Sequence, residues 1–501
     1  MTLASLLREA PATASAVAVL DARAETVEVK AVAYDSRRVE RGSVFVAMRG
    51  ERADGTAFAQ QAVTRGAVAV VAEAANPGLP VPWIAVPDAR RAIAELSAAF
   101  YRYPSASMQV IGITGTNGKT TTSYLLQSIF EAAGLQCGRI GTVGYSVAGK
   151  EREALHTTPE APDLHGLLRE MLDGGTRACA MEVSSHALSL RRVDAMRFAA
   201  AIFTNLTRDH LDFHGNMESY FDSKRRLFEM LQPDAPSIIN LDDAKGSALA
   251  QVSRRPVTYA IENMADVTPE SIEVSIDGVT FQVRSPRGGV RVRSRLVGRP
   301  NVYNILSAVA AALALDLPVG SIEQGVENLR DVPGRFQVVS GAEDDVRVVV
   351  DYAHTDDALR NLLETARPLA EGRIITVFGC GGDRDRTKRP LMGAVAARLS
   401  DVVVLTSDNP RSEDPDRIID DIQRGIAAGA RSGAKALQLL TIPDRRGAID
   451  RAMKEARPGD LVLVAGKGHE RTQTIGNRVL PFDDVEVARL ALARRRTRSR
   501  V

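Results

Sequence analysis

Cysteine is scarce in this chain: only Cys137, Cys179 and Cys380 occur in 501 residues. They form no C-x-x-C pair and no metal-ligand spacing. That excludes a disulfide framework and points to a reducing compartment. Excess charge is lacking too. The net charge of +2 argues against nucleic acid or another polyanion as the main partner. Long apolar runs are missing: "PNVYNILSAVAAALAL" is too short, and too polar at its start, to span a bilayer. The opening "MTLASLLREAPATAS" has no signal-peptide pattern. There is no internal repeat and no long low-complexity region. A cytoplasmic protein without stable membrane insertion, and a monomer, is the expectation. One local imbalance stands out: "RLALARRRTRSRV" holds six arginines in the last thirteen residues. It reads as a solvated helix end with a frayed tail.

What is present is an ordinary globular mixture, 45% hydrophobic and 25% charged, long enough for two to four domains. Strand-like runs alternate with helical patterns, so the fold class is α/β with three domains. The first, 1–106, carries "GSVFVAM", "GAVAVVAEA" and "PWIAVPD", then the helical "ARRAIAELSAAFYRYP". The second, 107–333, opens with "MQVIGIT" and is expected to be a central P-loop-type doubly wound sheet. Its "SIEVSIDGVTFQVRS" predicts a small antiparallel sheet with an Asp-Gly turn. The third, 334–501, is expected to be Rossmann-like, with strands in "VRVVVDYA", "RIITVFGC", "DVVVLTS" and "LVLVAGKG".

The strongest local signal is "VIGITGTNGKTTTSYLL". An apolar strand runs into Gly115, Thr116, Asn117, Gly118, Lys119, Thr120 and Thr121, and a helix follows. Glycines let backbone N–H groups wrap phosphate oxygens at a helix start. Lys119 is placed for terminal phosphates and Thr120 for Mg²⁺. Ile113 stands where the usual first Gly belongs, so only G-x-x-G-K-T is present. Glu182 in "AMEVSSHAL" and His210 in "NLTRDHLDFHG" end strands beside this loop and suit a metal site. Lys224 in "SYFDSKRRLFEM" reads by itself as one more surface charge. In the third block, "DYAHTDD", "GGDRDRTKRP", "SDNPR" and "AGKGHE" all follow strands. Strand ends of a doubly wound sheet converge on one edge. That edge is rich in cations, with Asp408 and Glu470 as counter-charges, which suits a ligand bearing carboxylates and ammonium groups.

These motifs, with "TTPEAPDL", "YFDSKRRLF", "NVYN" and "PGRF", run in order over nearly the whole chain and resemble the Mur ligases of peptidoglycan synthesis. The resemblance implies an ATP-dependent amide ligase. It would activate the D-glutamyl carboxylate of UDP-N-acetylmuramoyl-L-alanyl-D-glutamate as an acyl phosphate, and an amino acid would then attack. By motif, Gly115 to Thr121 would bind ATP phosphates, with Asn301, Arg335 and Asp351 around the rest of ATP. Lys119, Glu182, His210 and Lys224 would be catalytic. Mg²⁺ would be held by Thr120, Glu182, His210 and Lys224, the last as a carbamate. Thr157, Thr158, Ser184 and Arg192 resemble contacts to the muramoyl dipeptide. Ser36 of "DSRRV" and the "GERADG" loop resemble the uridine end, which would make 1–106 the UDP-sugar domain. Leu190, Glu51–Arg52 and Pro300 depart from the family pattern.

Within that family, D-N-P-R is the mark of members that add meso-diaminopimelate. Asp408, Asn409, Pro410 and Arg411 would form the clamp, with Arg389 a second carboxylate ligand and Gly466 and Glu470 at the far end. An arginine left unpaired would penalise lysine. The alternatives are L-lysine as acceptor, a folylpolyglutamate-synthase-like ligase, and a scaffold that binds nucleotide without catalysis.

Overall fold

The computed structural model describes residues 1–15, 22–50, 53–429 and 437–499. Glu51 and Arg52 of the "GERADG" loop, and Arg500 and Val501 of the tail, lie outside the described residues. The chain is α/β, as its alternating pattern requires. A four-stranded parallel sheet comes first, from Ala31–Ala33, Ser43–Ala47, Ala69–Ala72 and Trp83–Ala85 in that order. The helix Ala89–Phe100 packs on it, capped by the Asp88 carboxylate, which accepts from Arg91 N–H. Its Ala92, Ile93, Leu96 and Ala99 face the core, an i, i+4 spacing that buries one stripe.

The second sheet has eight strands. Gln109–Thr114 lies between Ala200–Phe203 and Ala178–Glu182, all parallel. Ser237–Asn240 and Pro256–Tyr259 extend one side. Cys137–Ile140 continues the other, ending in the antiparallel Tyr145–Val147 and Lys150–Arg152. Ile111, Ile113 and Ala180 show no exposed surface, as expected of strands covered on both faces. A separate antiparallel sheet, Thr268–Ser275, Gly278–Arg284 and Val290–Ser294, turns at Asp277–Gly278. Gly278 has φ +140°, and a Cβ there would lie 1.9 Å from the Ser294 carbonyl oxygen, so the predicted turn tolerates only glycine.

The third sheet orders Gln337–Val338, Arg347–Asp351, Leu461–Ala465, Ile374–Phe378, Val402–Leu405 and Gln438–Thr441. All pairs are parallel except the first. A hairpin, Thr472–Ile475 with Arg478–Pro481, stands beside its carboxyl edge. The C-terminal arginines differ from expectation. Arg494 pairs with Asp450, Arg495 with Asp345, and Arg496 with Glu343 and Asp344. Arg495 also donates to the Met453 and Ala456 carbonyls. The helix Asp484–Ser499 is thus tied down, because its turns face carboxylates that are remote in sequence. No helix among the described residues is long and apolar enough to cross a membrane.

Candidate active site

The helix Lys119–Ala132 begins at Gly118 without a side-chain cap. Its first N–H groups therefore lack the usual partner, which is the condition for anion binding. Gly118 has φ +88°, and a Cβ would sit 2.3 Å from Asn304 Oδ1. At Gly115, φ +145°, a Cβ would meet Thr204 Oγ1 at 1.9 Å. The loop can follow this path only with glycine at both places. Lys119 Nζ curls back onto the Gly115 and Thr116 carbonyls at 2.9 and 2.8 Å. Lys224 Nζ donates to the same Gly115 carbonyl at 2.8 Å and is 2% exposed. The two amino groups share one acceptor in a buried site. Burial lowers the pKa of both, and Lys119 pushes Lys224 further, well below the usual lysine value. The surface-charge reading of Lys224 is corrected: the helix Met217–Glu229 turns it inward with Tyr220, Phe221 and Leu227.

Glu182 ends its strand 1% exposed and forms no ion pair among the described residues. Its oxygens accept the Thr142 N–H and hydroxyl at 2.9 and 3.0 Å. A buried carboxylate with only neutral donors invites a cation. His210 occupies the left-handed region at φ +53°. Its ring lies edge-on to His186, and burial lowers its pKa to about 4, which favours the neutral imidazole with one nitrogen lone pair open to a metal. No group of three or more His, Cys, Asp or Glu among the described residues holds a metal by itself. A cation here needs oxygens from hydroxyl, carbamate or phosphate as well, a donor set that suits Mg²⁺. Thr120 Oγ1 accepts from Arg335 at 3.3 Å. Arg335 also lies over the Tyr352 ring. Asp351 accepts the Phe336 and Ala353 N–H groups at 2.6 and 2.8 Å, and burial raises its pKa. Asn301 donates to the Val297 carbonyl and accepts from Asn304. Together with the phosphate loop these residues line a cavity of about 300 Å³.

A second cavity, about 740 Å³, opens beside it. Thr157, Thr158, Ser184 and Arg192 line its central-sheet side; Asp408, Asn409, Arg411, Gly466 and Glu470 line the other. Thr158 Oγ1 donates to the Glu182 carbonyl, Ser184 caps the helix Ser185–Ser189, and Arg192 pairs with Glu160. Asn409 donates to Glu470 Oε2 at 2.8 Å, and the fully buried Lys467 donates to both residues. Arg411 sits at φ +52°, its turn pinned to the hairpin through Thr474 and Gly476. Pro410 backs the turn, its carbonyl 1.9 Å from where a Cβ on Gly382 would fall.

Arg389 is a correction. It is 1% exposed, and its guanidinium is held by Glu413, Asp421 and the Gly381 carbonyl. Facing the helix Pro415–Gly429 rather than the cavity, it braces the turn and has no charge left for a ligand. Arg384 lines the cavity instead, across Gly381 from Arg411. In the sequence Arg384 is one of several cations in "GGDRDRTKRP", with nothing to single it out. Ser36 lines neither cavity; its hydroxyl donates to Gln61 Oε1 at 2.8 Å. Residues missed outright include Thr142, Asn304 and Arg208. Asn304 was legible, since "NVYN" places it one helical turn beyond Asn301. Thr142 follows a strand with no motif to mark it.

The two cavities share Thr157, Ser184, Asp209, His210, Tyr352 and His354. Polar contacts also join the two sheets' edges: Asn117 to Asp357 at 3.1 Å and Arg208 to Thr387 at 2.6 Å. Fold and site together define a multidomain α/β protein whose phosphate loop faces a second, cation-rich strand edge. Comparison with known proteins agrees. Residues 28–101 match the Mur ligase family catalytic domain, 113–312 the Mur ligase middle domain, and 334–468 the Mur ligase glutamate ligase domain. A UDP-N-acetylmuramoyl-L-alanyl-D-glutamate–2,6-diaminopimelate ligase of Gloeobacter violaceus is 45% identical over 94% of this chain and 95% of its own. One of Solibacter usitatus is 47% identical over 93% and 94%. A solved structure of a ligase of that name is 35% identical, with TM-score 0.67, covering 95% of this chain and 97% of its own. The chain belongs to the Mur ligase family, whose members are ATP-dependent ligases.

Proposed function

We propose that this chain adds meso-diaminopimelate to UDP-N-acetylmuramoyl-L-alanyl-D-glutamate at the expense of ATP, yielding a peptidoglycan precursor. The observation that carries this reading is the junction of the two cavities, phosphate loop on one side and Arg384, Arg411 and Glu470 on the other. The D-glutamyl carboxylate oxygen attacks the γ-phosphorus and ADP leaves. The acceptor nitrogen then attacks the acyl carbon, and phosphate leaves. A free carboxylate is a poor acyl donor, and phosphorylation supplies the leaving group. Lys119 and the uncapped helix start stabilise charge on the transferring phosphoryl group. Arg335 and Asp351 hold the nucleotide end, with Asn301 and Asn304 beside the loop. Mg²⁺ would be held by Thr120, Glu182, His210 and carbamylated Lys224, and would neutralise phosphate charge when bound.

A carbamate forms when a neutral amine attacks CO₂ and releases a proton. Burial lowers the pKa of Lys224, which favours that neutral amine, and the product is an anion beside Lys119. Arg384 and Arg411 would pair the distal carboxylate of diaminopimelate, which lysine lacks, while Glu470 meets an ammonium group. Thr157, Thr158, Ser184 and Arg192 would position the muramoyl dipeptide, and Ser36 the uridine end. The proposed domain limits are 1–106, 107–333 and 334–501, in a cytoplasmic monomer. The test is ATP-dependent phosphate release with the dipeptide nucleotide and either meso-diaminopimelate or L-lysine. Diaminopimelate alone should support turnover. Preference for lysine would remove the clamp from this reading, and release with neither would remove the ligase.

A further inference from the structure

An acceptor amine reaches the site largely as an ammonium ion, which has no lone pair to attack with. Attack on the acyl carbon also leaves a proton on nitrogen that must go elsewhere. The receiving group has to stand where the phosphate cavity meets the acceptor cavity. Of the six side chains common to both, Asp209, His210 and His354 are the candidates, since burial pushes the Tyr352 phenol up to about 12.

Asp209 stands next to His210, one of the residues named above for Mg²⁺. It is also engaged by the His210 N–H and ring. His210 is itself one of the residues that would hold Mg²⁺, and its ring lies edge-on to His186. His354 differs from both. Its Nδ1 lies 3.0 Å from the Tyr352 carbonyl oxygen. A carbonyl only accepts, so Nδ1 carries the proton and Nε2 keeps its lone pair. Nε2 has no hydrogen-bond partner among the described residues. The ring packs at a tilt against Tyr352, which in turn packs against His469.

We propose that His354 is the proton acceptor for the incoming amine, an inference that rests on the ligase reading above. As the C–N bond forms and the C–O bond to phosphate breaks, phosphate leaves with the electron pair. The ammonium first gives one proton to His354 Nε2, which releases it to solvent through the acceptor cavity, and the second proton follows the same route once the nitrogen has attacked. The surroundings suit the task. Burial keeps the imidazole neutral and ready. Lys388, at the start of the helix Lys388–Leu399, and Arg335, before Gln337, oppose its charging; Asp209, after Ala200–Phe203, favours it. His469, after Leu461–Ala465, faces it across Tyr352 and is itself held neutral by burial.

The experiment separates the two chemical steps. Enzyme, ATP and dipeptide nucleotide are mixed without amino acid, and the acyl phosphate is trapped by borohydride reduction; meso-diaminopimelate is then added in a parallel single turnover. His354→Asn can still reach the Tyr352 carbonyl but has no basic nitrogen. It should form acyl phosphate at the unaltered rate and slow aminolysis by about 10²–10⁴-fold. Added imidazole should restore part of the loss, and the acidic limb of the rate profile should vanish. Aminolysis within twofold of normal would overturn the proposal. So would loss of the trapped acyl phosphate in the variant alone, which would place His354 in the first step. No trapped acyl phosphate in the unaltered enzyme would overturn the ligase reading, and the proposal with it.

Discussion

The central sheet and the C-terminal sheet present the same kind of edge, the carboxyl ends of parallel strands, but they prepare it in opposite ways. The central edge is built from absence. Glycine removes side chains, Gly118 leaves a helix start uncapped, and Lys119 and Lys224 are desolvated around one carbonyl. The C-terminal edge is built from pairing. Arg389 is locked by Glu413 and Asp421, Arg445 by Asp484 with neither side chain exposed, and Lys467 by Glu470. A phosphate-transfer site needs potential that a ligand can neutralise, so its cations are left without carboxylates. A site that must distinguish one amino acid from another needs fixed geometry, so its buried charges hold one another while others, Arg384, Arg411 and Glu470 among them, line the cavity.

That contrast can be broken at several points. Lys224→Ala should cost the most, lowering turnover on the order of 10³-fold while leaving the melting temperature within a few degrees; phosphate release checks it. A loss of stability instead would put Lys224 with the paired charges. Arg445→Ala should act on the other side of the comparison. Arg445 donates to the Ser407 and Ala465 carbonyls as well as Asp484. Its loss leaves a buried carboxylate and should destabilise by about 3–5 kcal/mol in urea unfolding. Replacing Arg445 and Asp484 together by apolar residues should cost much less.

The arginines of the clamp sharpen the contrast. Arg384→Ala and Arg411→Ala should each raise KM for diaminopimelate about 10–100-fold with little change in stability. Arg389→Ala should do the reverse, destabilising by roughly 3 kcal/mol with a small effect on KM in the protein that remains folded. Equal KM effects from all three would restore Arg389 to the clamp. The smallest effect at neutral pH is expected at His165, which is fully buried with neither ring nitrogen hydrogen-bonded. Burial lowers its pKa from 6.5 to about 4. The unfolded chain therefore binds a proton first as pH falls, and stability is lost between pH 6.5 and 4. His165→Leu should change stability by less than about 1 kcal/mol at pH 7.5 and flatten that part of the acid limb in pH-dependent unfolding.

How much could be read in advance follows the same division. The phosphate loop was legible because its chemistry is local: a strand, two glycines, Lys and Thr within a few residues. The Asp277–Gly278 turn was legible for the same reason. Lys224 read by itself as a surface charge, and only the motif around it suggested otherwise. Its helix presents Tyr220, Leu227 and Lys224 to one side, but the strand it packs on lies more than a hundred positions earlier. Arg384 and Arg389 could not be told apart in "GGDRDRTKRP". Four residues separate a cavity wall from a buried brace, and the partners that decide it, Glu413 and Asp421, come from a later turn and helix.

The sequence by itself determined the alternation of strands and helices, the phosphate loop and the strand ends where chemistry would gather, because period, glycine placement and capping act over a few residues. The tertiary structure alone decided which charges stay open and which neutralise one another. That choice depends on how far each group is buried and on carboxylates brought from distant positions, and neither quantity exists until the sheets have packed.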